Sequence, residues 1–135
     1  MIKNISNLGD AAVYCDFGVE VNKSVNSEVI KYFKALKKEN VESINNLTPS
    51  YNKLIVSYDL RKTNFKEVKK LIENLNVNET QDNNCTKIEI PVCCDDQFSL
   101  DIKRLEEKLN IKREKILENF FSKEYFCYMT GFIAG

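Results

Sequence analysis

The sequence predicts an α+β fold in which an antiparallel sheet carries its helices on one face. Three observations predict it. Short runs rich in β-branched and aromatic residues alternate with longer runs whose apolar residues recur every three or four positions. The order of these runs is strand, helix, strand, strand, helix, strand, the split βαβ pattern of a ferredoxin-like βαββαβ domain. The apolar fraction, 43% of 135 residues, suffices for the core of one typical domain, or of one small domain plus part of another.

Residues 11–17 hold Val13, Tyr14, Cys15 and Phe17 and read as a first strand, closed by Gly18. Val25, Val29, Ile30, Phe33 and Leu36 then share one helical face, with Lys and Glu opposite. Residues 41–47 alternate loosely as a weaker strand, and Thr48, Pro49 and Ser50 mark a turn. The run Leu54, Ile55, Val56, Ser57, Tyr58 is dense in strand formers and reads as central. Asn64 can cap the next helix with Glu67 as its capping-box partner, and Phe65, Val68, Leu71, Ile72 and Leu75 form its apolar stripe.

Residues 76–84 are polar apart from Val77 and read as a loop. After them Ile88, Ile90 and Val92 alternate with polar neighbours and Pro91, as in a strand at or leaving a sheet edge. Ile102, Leu105 and Leu109 make one short helical stripe, opened near Ser99 or Asp101, and Ile116, Leu117, Phe120 and Phe121 make a second. Residues 125–130 read as a last strand. Two amphipathic helices and one strand cannot close a core by themselves, so this part needs further strands to pack against.

Composition excludes several classes of function. Twenty Lys and Arg against twenty Asp and Glu leave no net charge, which argues against nucleic-acid binding through a basic field. The basic stretch 31–38 lies on a helical pattern and reads as a solvated face, not a membrane anchor. No apolar run approaches the ~18 residues that cross a bilayer. Residues 1–5 have no apolar core of a signal peptide, so a cytoplasmic protein is expected. Five cysteines without a C-x-x-C pair fit reduced thiols.

Histidine is absent, which removes the commonest general base and metal ligand. No metal site is expected. Asp95 and Asp96 read as a solvated acidic turn in preference to a Mg²⁺ site, and Asp10 reads as a turn or cap residue. Cys93 would need a base or cation to act as a nucleophile. No glycine-rich phosphate loop is present. The final residues, 125–135, are apolar and punctuated by Gly131 and Gly135. Chain termini are ordinarily polar and frayed, so the expectation is either a tail covered by a partner or a fragment of something longer, with exposed apolar or frayed residues from about Tyr125 onward unless a partner covers them.

Four motifs carry a family resemblance. They are Gly9-Asp10-x-Ala12; Pro49-Ser50-Tyr51 ahead of Leu54-Ile55-Val56-x-Tyr58-Asp59; Ile90-Pro91-Val92-Cys93-Cys94-Asp95-Asp96-x-Phe98; and Glu124-Tyr125-x-x-Tyr128-Met129-x-Gly131-Phe132-x-x-Gly135. In this order the chain resembles the family of the 5-oxoprolinase B component and KipI, also called allophanate hydrolase subunit one or carboxyltransferase subdomain C. Cys93-Cys94-Asp95-Asp96 departs from the family's Cys-Tyr-Gly-Gly, and Ala134 stands where the family has proline. Phe120-Phe121-Ser122 stands where the family often has a histidine.

The resemblance implies two domains, a ferredoxin-like one over residues 1–86 and the first part of a cyclophilin-like β-barrel over residues 87–135. It implies the B component of an ATP-dependent 5-oxoprolinase, a hydrolase that opens 5-oxo-L-proline to L-glutamate with its partner components C and A. ATP with Mg²⁺ would serve the complex, with no cofactor bound by this chain alone. A KipI-like inhibitor of a histidine kinase and an allophanate hydrolase or urea amidolyase subunit are the other branches. Carried over to this chain, the motifs point to Tyr128, Gly131, Phe132, Gly135 and Cys93 as substrate-binding residues. Glycine admits close approach of a ligand to the backbone, and a tyrosine hydroxyl can donate to a carbonyl or phosphate. Turning the chain and packing a ring are the plainer roles of the same residues. Catalytic residues are not identified.

Overall fold

Alternate residues of two strands disappear into the core. Val13 and Cys15 are buried in one strand while Tyr14 and Asp16 on its other face are half-exposed, and Leu54, Val56 and Tyr58 are buried in another while Lys53, Ile55 and Ser57 are not. That period of two is a sheet with one covered face. A computed structural model describes residues 1–77 and 86–131. Its strands are β1 (Asn4–Asn7), β2 (Ala12–Asp16), β3 (Ile44–Pro49) and β4 (Lys53–Tyr58), and its helices are α1 (Lys23–Glu39), α2 (Phe65–Glu73), α3 (Ile102–Leu109) and α4 (Arg113–Phe121). The strands form one sheet in the order β1-β2-β4-β3, antiparallel throughout.

Val13 faces Val56 and Cys15 faces Leu54 across the central pair. Val29 and Leu36 of α1 and Val68 and Ile72 of α2 complete the same buried cluster. Both helices therefore cover one face of the sheet, as the sequence predicts. Each such apolar side chain contributes about 1.5–3 kcal/mol by leaving water. Burial also pushes the Cys15 thiol up to about 12, so it stays neutral and acts as a small apolar residue. The Asn22 side chain caps α1 by accepting from the Val25 N–H at 2.9 Å. Asn64 caps α2 by accepting from Lys66 and Glu67 N–H. Glu67 does not complete the capping box; its carboxylate accepts from the Thr63 hydroxyl at 2.8 Å.

Three expectations are corrected. Residues 88–92 form no strand: Ile88 and Ile90 are 75% and 76% exposed. The place beside β2 that a fourth strand of the βαββαβ pattern would take is held by β1, with Ile5 opposite Cys15. Only Ile5 is apolar in β1, and a four-residue edge strand on one covered face needs no more than that. The weak strand of residues 41–47 is displaced to Ile44–Pro49. Its Val41 end is taken up by a turn, in which the Val41 carbonyl accepts from the Ile44 N–H, and Pro49 ends the strand opposite Leu54. Residues 125–130 form no strand either, for no neighbouring strand pairs with them among the described residues.

The described residues fall into two units, the sheet with α1, α2 and residues 127–131, and residues 86–126 with α3 and α4. In the second unit Arg113 opens α4. Its guanidinium binds the Asp96 carboxylate and the Cys94 carbonyl, and its N–H donates to the Glu106 carboxylate at 2.8 Å. Phe120 stacks edge-on against Phe121 and lies 5.5 Å from the Tyr125 ring. No residue of α3 or α4 is fully buried. Among the described residues no helix is long and apolar enough to cross a membrane.

Candidate functional site

Asn26 is the one polar side chain buried in the described core, at 3% exposure. It sits in the first turns of α1, between the apolar positions Val25 and Val29. Burying an amide costs free energy unless it is hydrogen-bonded, so its partners decide its role. Its Nδ2 donates toward three backbone carbonyls: Ser50 at 3.1 Å, Tyr51 at 3.0 Å and Tyr128 at 3.0 Å. Three acceptors around one nitrogen also fix which end of the amide is which. Ser50 and Tyr51 form the turn between β3 and β4, whereas Tyr128 lies 102 residues away in the chain.

Two further contacts tie the same pieces together. The Tyr51 and Tyr128 rings lie 6.0 Å apart, tilted by 39°. The Ser50 hydroxyl donates to the Met129 thioether at 3.4 Å. The motif at 49–51 and the motif that begins at Glu124 thus meet at a buried asparagine. Beside them, Asn52 donates to the carbonyls of Gly18 and Glu20 at 2.9 and 3.1 Å, and Lys53 donates to the Gly18 carbonyl at 2.5 Å. Gly18 holds φ +116°, open to glycine alone at little cost, and its N–H donates to the Asp16 carboxylate at 2.7 Å. The Lys53 ammonium pairs with that carboxylate and, with the Gly18 N–H, holds it below the usual carboxylate range.

Tyr128 and Gly131 belong to this junction. Tyr128 is half-buried, while Gly131 is exposed at φ +82° with nothing among the described residues within 4 Å of where a Cβ would stand. Its glycine is required by backbone conformation and leaves open space above the chain. Cys93 belongs to the second unit and is exposed. Phe132 and Gly135 lie outside the described residues. Of the expected exposure from Tyr125 onward, Tyr125 bears it out at 69%, but Tyr128 and Met129 are seated against the first unit. The Ser50 hydroxyl donates to a thioether, which does not act as a base. Among the described residues no three acidic or cysteine side chains gather as a metal site, and Asp96 is engaged by Arg113. The junction can bind and orient.

Sequence reasoning missed Asn26, Ser50 and Tyr51 as a group. The signal was a poor helix former lying between Val25 and Val29 on an apolar face.

A profile for the carboxyltransferase domain, subdomain C and D, matches residues 3–135. The chain is 27% identical to the B component of 5-oxoprolinase from Bacillus subtilis (strain 168), over 97% of this chain and 60% of that protein. It therefore spans about three-fifths of the length of that curated relative. The crystal structure of TTHA0988 matches with a TM-score of 0.66 at 21% identity, covering 81% of this chain and 21% of that one, which shows a shared fold. The conserved uncharacterized protein PH0987 from Pyrococcus horikoshii matches with a TM-score of 0.51 at 26% identity, over 89% of this chain and 56% of that one.

Proposed function

The chain belongs to the family of the carboxyltransferase domain, subdomain C and D, and on that premise we propose that it acts as the B component of an ATP-dependent 5-oxoprolinase. In this reading it works with the A and C components in the cytoplasm to convert 5-oxo-L-proline to L-glutamate. The observation that carries it is the similarity to a 5-oxoprolinase B component along 97% of this chain.

The chemistry demanded by a lactam fits a shared site. A lactam carbonyl is resonance-stabilised, and phosphorylation of its oxygen by ATP makes it a better electrophile for water. Such a step needs donors for phosphate and for a developing oxyanion. Gly18 does not offer its N–H to a phosphate: that donor is spent on the Asp16 carboxylate. We therefore assign ATP and Mg²⁺ to the complex, and substrate contacts to Tyr128, Gly131, Phe132, Gly135 and Cys93. Residues 1–86 would be the ferredoxin-like domain and residues 87–135 the start of a cyclophilin-like barrel.

The test is reconstitution. Glutamate should form from 5-oxo-L-proline and ATP when this protein is mixed with the A and C components, and not when any of the three is left out. No glutamate from the complete set would sink the proposal.

A further inference from the structure

We propose that Asn26 is a positioning residue that seats the segment 128–131, and so presents Tyr128 and Gly131 to a ligand, without itself touching that ligand. The proposal rests on the reading of Tyr128 and Gly131 as substrate-binding residues.

What holds the segment decides the matter. Among the described residues, 125–131 have no strand partner, so their backbone hydrogen bonds must be found one at a time. The Tyr128 carbonyl accepts from Asn26 and the Met129 carbonyl from the Cys127 thiol at 3.4 Å, while the Met129 side chain accepts from the Ser50 hydroxyl through sulfur, a weak acceptor. The Asn26 amide makes the strongest of these bonds. That amide also fixes the turn carrying Tyr51, whose ring lies against Tyr128. One side chain thus ties together the two backbones that carry these rings. Gly131, three residues on, is exposed with open space above it. A ligand approaching that backbone meets a segment whose position is decided at Tyr128.

The consequence is a partition between states. If seating is lost, only a fraction of molecules presents the segment correctly, and apparent affinity falls by that fraction while the bound state is unchanged. Losing one net hydrogen bond lowers the seating equilibrium constant by about five- to tenfold. Asn26→Ala and the isosteric Asn26→Asp, which replaces the donor nitrogen by an acceptor facing three carbonyls, are the variants.

Two readouts test the proposal. In the 135-residue chain, amide exchange at Met129, Thr130 and Gly131 should accelerate about fivefold or more in both variants, while amides of β2 and β4 stay within about twofold. In the reconstituted complex, the KM for 5-oxo-L-proline should rise by the factor by which that exchange shows the seated fraction to have fallen, with kcat within about twofold. Unchanged exchange at 129–131 overturns the proposal. So does an equal loss of protection in segment and sheet, because Asn26 would then act on the fold. A fall in kcat at constant KM overturns it as well. A wild-type complex that makes no glutamate defeats the proposed activity instead, and the exchange experiment still decides the role of Asn26.

Discussion

A single carboxylate shows how far one residue can be read. Asp59 follows β4, and Arg61 grips it with Nε at 3.0 Å from Oδ1 and Nη2 at 2.7 Å from Oδ2. The Arg61 N–H adds a third bond at 3.0 Å. These donors lower the Asp59 carboxyl from its ordinary 3.8 to about 2. A depressed carboxylate contributes stability that is complete above the ordinary value and is lost as pH falls through the lowered one. Thermal unfolding of the wild type should therefore lose stability between about pH 4 and 2. Asp59→Asn should flatten that part of the profile, and an unaltered slope would refute the assignment. The Tyr-Asp pair at 58–59 was legible in the sequence as a motif. Its partner was not, because Arg61 is two residues on and nothing in spacing alone says that the turn folds back.

The helices and strands were legible in proportion to how much of their own burial they encode. α2 announces itself by a cap and a stripe, and both are realised, with Val68 and Ile72 buried and Asn64 accepting two N–H bonds. Replacing Asn64 with alanine should cost about 1 kcal/mol in urea unfolding. The Thr63–Glu67 contact, which does not pass through Asn64, should not offset that loss. A variant as stable as the wild type would show that the cap is dispensable. β4 was equally plain. The segment 88–92 was not: its alternation states that one face is apolar, but not against what that face packs, and Ile88 and Ile90 are exposed. β1 shows the converse, since N-I-S-N carries almost no strand signal and pairs because β2 offers it an edge. The junction at Asn26 was hidden for a similar reason. A polar residue near an apolar stripe signals an exception, but its three acceptors come from positions 24, 25 and 102 residues away.

Across the molecule, burial is concentrated in the sheet and the two helices that cover it. Cys15 lies in that core, whereas Cys93 and Cys127 are exposed. Alkylation of the native chain should modify Cys93 and Cys127 first, and Cys15 only through global opening of the sheet. Mass spectrometry of timed samples reads this directly, and early modification of Cys15 would contradict the assigned core. The hairpin that puts β1 beside β2 has a further consequence, in the order of synthesis. Among the described residues all four strands precede Asp59 in the chain, and both covering helices are complete by Glu73. A ribosome has thus synthesised these strands and helices before it reaches the motif at 90–98. Had residues 88–92 supplied the edge instead, the nascent sheet would have had to wait with an open side. As built, the core can close while the segment that Asn26 receives is still being translated, so the seat stands ready before its occupant arrives.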